Sequence, residues 1–321
     1  MYIVTGGAGF IGGNLVRALV ARGEQVLVVD DLSDPARVAA GLGDTHVVDC
    51  LDKEAFREAV AAGRTFGAVR GLFHQGACAD TLSTDRWKLW WDNYEFSTLM
   101  LRWALVQDIP LVYASSAAVY GRGHAFAERP ENERPANYYA WSKLLFDRYV
   151  RLHASGPGST VVGLRYFNVY GPGESHKGRM ASTAYQAYRQ ATGEGVVRLF
   201  QGTDGFPHGG QQRDFVSVAD VIAVNLHFMM SPEPRRAIVN VGTGCARSFN
   251  DLAGAVTREV GGGSIVYVPM PASLRDRYQS FTQADLAALR HAGYEAEFTP
   301  LETGIAHAVA HWNAEADPSA A

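Results

Sequence analysis

Tyr139 and Lys143 stand four residues apart. On a helix that spacing places both on one face, a phenol beside an ammonium. A free phenol, with a pKa near ~10, is a poor base at neutral pH. A neighbouring ammonium stabilises the phenolate and lowers that pKa, which makes Tyr139 a candidate general acid/base. Chance pairs of this kind are common, so the reading leans on two further features. A glycine-rich turn opens the chain, and Ser115 and Ser116 follow an apolar run upstream of the tyrosine. Ser116 is the candidate to hydrogen-bond a reacting oxygen, with Ser115 as neighbour or substitute. The alternative for a Ser-Ser pair after a strand is simple turn chemistry. The combination points to hydride transfer at a secondary alcohol, with Tyr139 taking the hydroxyl proton and Lys143 holding a nicotinamide ribose.

The turn has glycines at 6, 9 and 12. Gly6 allows a tight turn, Gly9 lets the backbone approach a diphosphate, and Gly12 lets a helix pack on its strand. The helix opening at Phe10 and Ile11 would supply amide donors and a favourable dipole to that diphosphate. Asp30 ends the next strand eighteen residues after Gly12, where a carboxylate accepts from a ribose diol and favours NAD. Arg37 and Lys53 are open to two readings, as ligands of a 2′-phosphate or as solvated surface cations. Asp49, after the third strand, is a candidate for the adenine edge. Gly76 and Ala77 let the backbone pass close to the cofactor.

These residues need a scaffold, and the first half supplies one by alternating short apolar runs with amphipathic stretches, the pattern of a parallel sheet. Strands are predicted at 2–5, 25–30, 47–48, 69–74, 111–114 and 161–165. Helices are predicted at 11–21, 53–62, 94–107 and 139–153. After Asn168 the pattern loosens through glycines and prolines at 171–173 and 178. Residues 202–212 read as a loop, and 215–230 and 238–241 as a return to the sheet edge. The predicted fold is α/β, a Rossmann-type doubly wound parallel sheet with a smaller α/β substrate lobe formed by C-terminal insertions. Residues 1–168 with about 214–241 form the nucleotide-binding domain, 169–213 with about 242–313 the lobe, and 314–321 a frayed tail.

The chain has 321 residues, 47% hydrophobic and 19% charged, with a net charge of −4. That balance gives no electrostatic case for nucleic acid or an anionic membrane. No apolar run reaches the ~18 residues of a membrane span, and no signal peptide is visible. Cys50, Cys78 and Cys245 have no metal-ligand spacing and suit reduced thiols in the cytoplasm. No metal site is expected. Trp87, Trp90 and Trp91 read as core or subunit contact, and a homo-oligomer is expected.

In the polar segments, Lys177 is a candidate second acid/base because its loop should fold over the nicotinamide. Asn168, at a strand end, reads as a ligand contact. Arg213 either pairs with Asp214 or neutralises a nucleotide diphosphate. Tyr278 and Arg275 face substrate or solvent.

The glycine turn, the Ser-Ser segment, the Tyr/Lys pair and residues 165–172 together resemble the extended short-chain dehydrogenase/reductases that modify nucleotide sugars. Residues 74–78, 173–182, 212–216 and 277–285 resemble, more narrowly, the branch of that family acting on ADP-heptose, over nearly the whole chain. The resemblance implies inversion at C6 of ADP-D-glycero-β-D-manno-heptose to the L-glycero epimer, through a C6 ketone. It implies a retained NADP, with NAD also open, no net redox, and a product for lipopolysaccharide core or another heptose glycan. Two acid/base residues are implied, Tyr139 and Lys177. The implied cofactor site adds Asp31, Gln75, Cys78, Ala79, Asn93 and Val169, and shares Tyr139, Lys143 and Lys177 with the catalytic set. The implied substrate site is Ser116, Asn168, Arg179, Gln186, Phe200, Gln201, Gly202, Thr203, Arg213 and Tyr278. The sequence departs from the family pattern at Gln75 (usually glutamate), at Asp92 (usually asparagine), at Gln186 (usually histidine), and in a longer 204–212 loop.

Two rivals follow from the same residues. A UDP-hexose 4-epimerase shares the serine and the Tyr/Lys pair but does not require Lys177. A non-catalytic NADP-sensing protein would keep the glycine turn without needing Tyr139, Lys143 and Ser116.

Overall fold

A computed structural model describes residues 1–275 and 278–316. The first half reads β1 (Tyr2–Thr5), α1 (Phe10–Val20), β2 (Val26–Asp30), α2 (Pro35–Leu42), β3 (Asp49–Asp52), α3 (Lys53–Ala61) and β4 (Gly71–His74). A long helical stretch follows, made of α4 (Arg86–Leu89), a π-helical segment (Trp90–Glu95) and α5 (Phe96–Gln107). Then come β5 (Leu111–Ser116), α6 (Tyr138–His153), β6 (Val161–Tyr166) and β7 (Asn168–Tyr170). The remainder is α7 (Thr183–Glu194), β8 (Val196–Phe200), β9 (Gln212–Ser217), α8 (Val218–Met230) and β10 (Arg236–Val241). It closes with β11 (Ala246–Ser248), α9 (Phe249–Glu259), β12 (Ser264–Val268), α10 (Ala272–Arg275), α11 (Ala287–His291) and α12 (Leu301–Ala316).

Seven strands form one parallel sheet in the order β10-β6-β5-β4-β1-β2-β3. The strand order reverses between β1 and β4, and a ligand crevice is expected outside the carboxyl ends at that point. Apolar side chains alternate across the strands. Tyr2 and Val4 pack with α1 and α8 on one face, while Ile3 packs with α3, α5 and α6 on the other. Both faces are therefore covered, which is why these strands read as nearly continuous apolar runs. A third apolar cluster joins α7, β8, α9 and α12 with Tyr170 and Phe215. Beside it lie a small sheet ordered β11-β9-β7 and the parallel pair β12-β8.

Several sequence expectations change. The third strand is 49–52 rather than 47–48: it is the sheet edge, partly exposed, so it needs no apolar run. Asp49 consequently opens that strand, exposed, with its carboxylate accepting from the Cys50 amide, and it is not among the residues lining the main cleft. The helix expected at 94–107 begins at Arg86 and passes through the π turn. Residues 238–241 do return to the large sheet, but 215–217 belong to the small one. Residues 314–316 continue α12, and 317–321 lie outside the described residues, as does Arg277. The three tryptophans are not core: Trp87, Trp90 and Trp91 are 73%, 40% and 52% exposed. No helix among the described residues is long and apolar enough to cross a membrane.

Candidate active site

The glycine turn makes the floor of a cleft of about 690 Å³. Gly6 has φ +65°, and a Cβ there would lie 2.6 Å from the Gly76 amide nitrogen. A Cβ on Gly12 would overlap the Gly6 carbonyl. Gly9 caps α1 in extended conformation with no side chain over the first amides. Those donors and the helix dipole are thus left for an anion. Gly6, Gly9, Phe10, Ile11 and Gly12 all line the cleft. Gly6 and Gly12, where an added Cβ would clash with backbone, lie below an uncapped helix start and fit a dinucleotide diphosphate.

At the far end, Asp30 Oδ2 accepts from the Ala8 amide at 2.8 Å, which braces the turn against β2. Its Oδ1 accepts from Arg37 at 2.9 Å. Lys53 lies 3.4 Å from Asp31 and 3.3 Å from Asp92, and Lys88 lies 3.0 Å from Asp92. The Ser33 hydroxyl and amide, helped by Lys53, hold the Asp31 carboxyl down at about 2. All six charged residues line the cleft, so Arg37 and Lys53 are neither plain solvated cations nor free ones.

The chemistry end is built by β5, α6 and the β4 loop. Asn137 caps α6, accepting from the Ala140 amide at 2.8 Å, and so starts the helix one residue before Tyr139. Ser116, Tyr139 and Lys143 line the cleft together. Burial raises the Tyr139 phenol, and the Ser116 hydroxyl beside it works in the opposite direction. Lys143 donates to the Ala114 carbonyl at 3.0 Å. Burial lowers its amine to about 8, against the opposing pull of Asp147 and Cys78. The phenol is thus raised by burial where the Tyr/Lys spacing suggested a lowering.

Lys177 comes from a different element, the 3₁₀ turn Ser175–Met180. Its ammonium lies 5.0 Å from the Phe10 ring centroid, over the start of α1. Burial lowers its pKa, against the opposing pull of Glu174. Glu174 is fully buried and clamps both ends of the loop, accepting from the Gly171 amide at 3.1 Å and from Ser182 at 2.5 and 2.7 Å.

A smaller cavity of about 180 Å³ adjoins through Thr183 and holds Gln186, Phe200 and Tyr278. Gln186 also donates to the Arg179 and Ala181 carbonyls, fastening the Lys177 loop to α7. Arg213 is buried with its guanidinium 4.9 Å from the Tyr278 ring and 5.5 Å from Phe249. It forms no pair with Asp214, whose carboxylate accepts from Thr243, Gly244 and Ala284 on the opposite side of β9.

Other candidates are held away from the cavity surfaces. Asn93 is buried; it accepts from the Cys78 amide at 2.7 Å and donates to the Cys78 carbonyl and Ser142, so it positions the 75–79 loop. The π turn instead points its neighbour Asp92 into the cleft. Arg179 is an exposed partner of Asp80. Gln201, Gly202 and Thr203 form a self-bonded turn with Val268, His208 and Gln211 beside the smaller cavity. Arg275 is exposed. Gln75, Gly76, Ala77, Cys78, Ala79, Asn168 and Val169 line the main cleft, and the Gln75 amide bonds Tyr166 and Asn225.

Sequence reasoning missed the buried supports. His74 links Thr5 (2.7 Å) to Ser97 (2.8 Å), and the Thr5 hydroxyl accepts from Gly76 at 3.1 Å. One direction of donation runs from Gly76 through Thr5 and His74 to Ser97 and the Asn93 carbonyl. Only a neutral ring satisfies it, in keeping with a His74 pKa lowered to about 3 by burial and by Lys143. The Lys88/Asp92 spacing of four was the one signal available for that pair.

A glycine cradle at the strand switch point, with Ser116, Tyr139 and Lys143 in the same cleft, defines a Rossmann-type nicotinamide-nucleotide enzyme. Residues 2–242 match the NAD dependent epimerase/dehydratase family. The chain belongs to that family. It is 48% identical over 306 residues, 95% of each chain, to the ADP-L-glycero-D-manno-heptose-6-epimerase of Alkalilimnicola ehrlichii. The crystal structure of the Helicobacter pylori ADP-L-glycero-D-manno-heptose-6-epimerase superposes with TM-score 0.81 at 29% identity, covering 98% of this chain and 96% of that one. Thermus thermophilus UDP-glucose 4-epimerase in complex with NAD gives 0.78 at 29%, covering 97% and 98%. The chain is thus an epimerase with a nicotinamide cofactor and a nucleotide-sugar substrate.

Proposed function

We propose that this chain interconverts ADP-D-glycero-β-D-manno-heptose and ADP-L-glycero-β-D-manno-heptose by oxidation at C6 and re-reduction on the opposite face. The supporting observation is that Tyr139 and Lys177 reach one cleft from separate elements, α6 and the 175–180 turn. An oxygen that changes sides between two passes needs a proton donor and acceptor on each side. Tyr139, with Ser116 beside it, serves one configuration, and Lys177 serves the other. When bound, the nicotinamide takes the C6 hydride and returns it, so no net redox occurs.

Gly6, Gly9, Phe10, Ile11 and Gly12 would hold the diphosphate, Asp30 and Asp31 the adenosine ribose, and Lys143 the nicotinamide ribose. NADP is the proposed cofactor, through Arg37 and Lys53, with NAD as the second choice. Phe200, Tyr278, Gln186 and the stacked Arg213 suit the nucleotide end of the substrate. The chain divides into a nucleotide-binding body, 1–168 with about 214–241, and a substrate lobe, 169–213 with about 242–313. A cytoplasmic location fits the three unpaired cysteines. The exposed Trp87, Trp90 and Trp91 are the proposed self-association face. Side-by-side turnover with ADP-D-glycero-β-D-manno-heptose and UDP-glucose tests the substrate assignment; faster epimerisation of UDP-glucose would contradict it.

A further inference from the structure

The adenosine-ribose end of the cleft is charge-matched one to one: Arg37 with Asp30, Lys53 with Asp31 and Asp92, and Lys88 with Asp92. A 2′-phosphate brings about −1.5 to −2 charges and needs cations whose donors are available. A 2′-hydroxyl needs a carboxylate acceptor instead. Three carboxylates beside three cations hold this end between those two demands. Asp92 is the member that tips it, because it contacts two cations at once and is only 13% exposed at its side chain. Its position follows from the backbone. The π turn at Trp90–Glu95 adds a residue to the helical repeat, which sends Asn93 inward to Cys78 and Ser142 and leaves Asp92 on the cleft wall.

We propose that Asp92 is the specificity-determining residue for the cofactor's 2′ position, restraining Lys53 and Lys88 and thereby weakening selection of a 2′-phosphate over a 2′-hydroxyl. The proposal rests on the reading that Lys53 faces the 2′ substituent. A phosphate drawing on Lys53 must loosen it from Asp31 and Asp92, whereas a diol leaves both pairs intact. With Asp92 neutral, Lys53 keeps only the more exposed Asp31 and Lys88 keeps no carboxylate among these contacts. Removing Lys88 acts in the opposite sense, because Asp92 is then left wholly to Lys53.

The test is fluorescence titration of the full chain, after exchange of its resident nucleotide, with NADPH and with NADH. Asp92→Asn is expected to raise the NADPH-to-NADH affinity ratio about two- to fivefold, the scale of one solvent-accessible ion pair. Lys88→Met is expected to lower it. An unchanged ratio in Asp92→Asn, with NADH affinity showing an intact site, overturns the proposal. The underlying reading fails separately: Lys53→Met would then leave the NADPH affinity of the wild-type chain unaltered. Repeating the titrations in high salt adds a check, since the Asp92→Asn effect should shrink as exposed charges are screened.

Discussion

Arg165 donates through Nε to the Asp147 carboxylate at 2.9 Å, with both side chains fully buried. Asp147 also accepts from Tyr113 at 3.0 Å and Ser115 at 2.9 Å. It lies one turn beyond Lys143 on α6, so one carboxylate ties α6 to the active-site ends of β5 and β6. The Ser115 hydroxyl is thereby held by Asp147, while Ser116 lies beside Tyr139 in the cleft lining.

Asp147→Ala takes one of two buried carboxylates from Arg165 and leaves Tyr113 and Ser115 without their acceptor. Removing one partner of a buried pair costs about 3–5 kcal/mol. Denaturant unfolding should show a loss near the lower end of that range, because Glu133 and Tyr120 still contact Arg165. A loss under about 1 kcal/mol, the scale of a surface pair, would show that the network does not brace this edge.

Gly12→Ala places a methyl group into the Gly6 carbonyl. The turn must open, so the purified variant should lose its nicotinamide and some stability, about 1–3 kcal/mol for overpacking. Gly193→Ala, on α7 with nothing within 4 Å of the added carbon, should be neutral or stabilising by ~0.4–1 kcal/mol. Released nucleotide and unfolding midpoints measure both. Full nucleotide retention in Gly12→Ala would contradict the cradle.

His74 titrates at about 3 in the folded chain against 6.5 as a free side chain. Between those values the unfolded chain carries a proton that the folded one does not. Stability therefore falls as pH drops from 6.5 towards 3, by at most about 1.4 kcal/mol per pH unit from this one group. His74→Gln should flatten that limb of a stability-against-pH curve. An equally steep limb in the variant would assign the acid sensitivity to other groups.

The sequence revealed the strands that are buried on both faces, since β1, β2, β5 and β6 are apolar runs with little alternative. It hid β3, whose edge position tolerates Asp and Cys, and it hid the π turn, which has the composition of an ordinary helix. That one added residue puts Asp92 on the cleft wall and turns Asn93 inward to the 75–79 loop, an arrangement that spacing does not reveal. Tyr139, Lys143 and Ser116 were legible because each lies in or beside a regular element. Lys177 was not legible from spacing, because an irregular turn clamped by Glu174 carries it; its place in the loop after Asn168 suggested it, and the family resemblance implied the same role. The smaller cavity draws on α7, β8 and Tyr278, segments far apart in the chain, and left no local pattern to read.

Tyr139→Phe and Lys177→Met should each slow epimerisation about 10²–10⁴-fold, the usual contribution of a general acid or base. Both should keep bound nicotinamide, since neither belongs to the glycine cradle. Rate and nucleotide content are measured on the same preparations. Near wild-type turnover in Lys177→Met alone would remove the second acid/base group and favour the mechanism of a 4-epimerase.

The most direct measurement is to incubate the purified chain, with no cofactor added, with ADP-D-glycero-β-D-manno-heptose and follow the configuration at C6 by proton NMR. The account predicts that the L-glycero epimer appears over many turnovers with no accumulation of oxidised sugar. No change at C6, even after NADP and NAD are supplied, would contradict it.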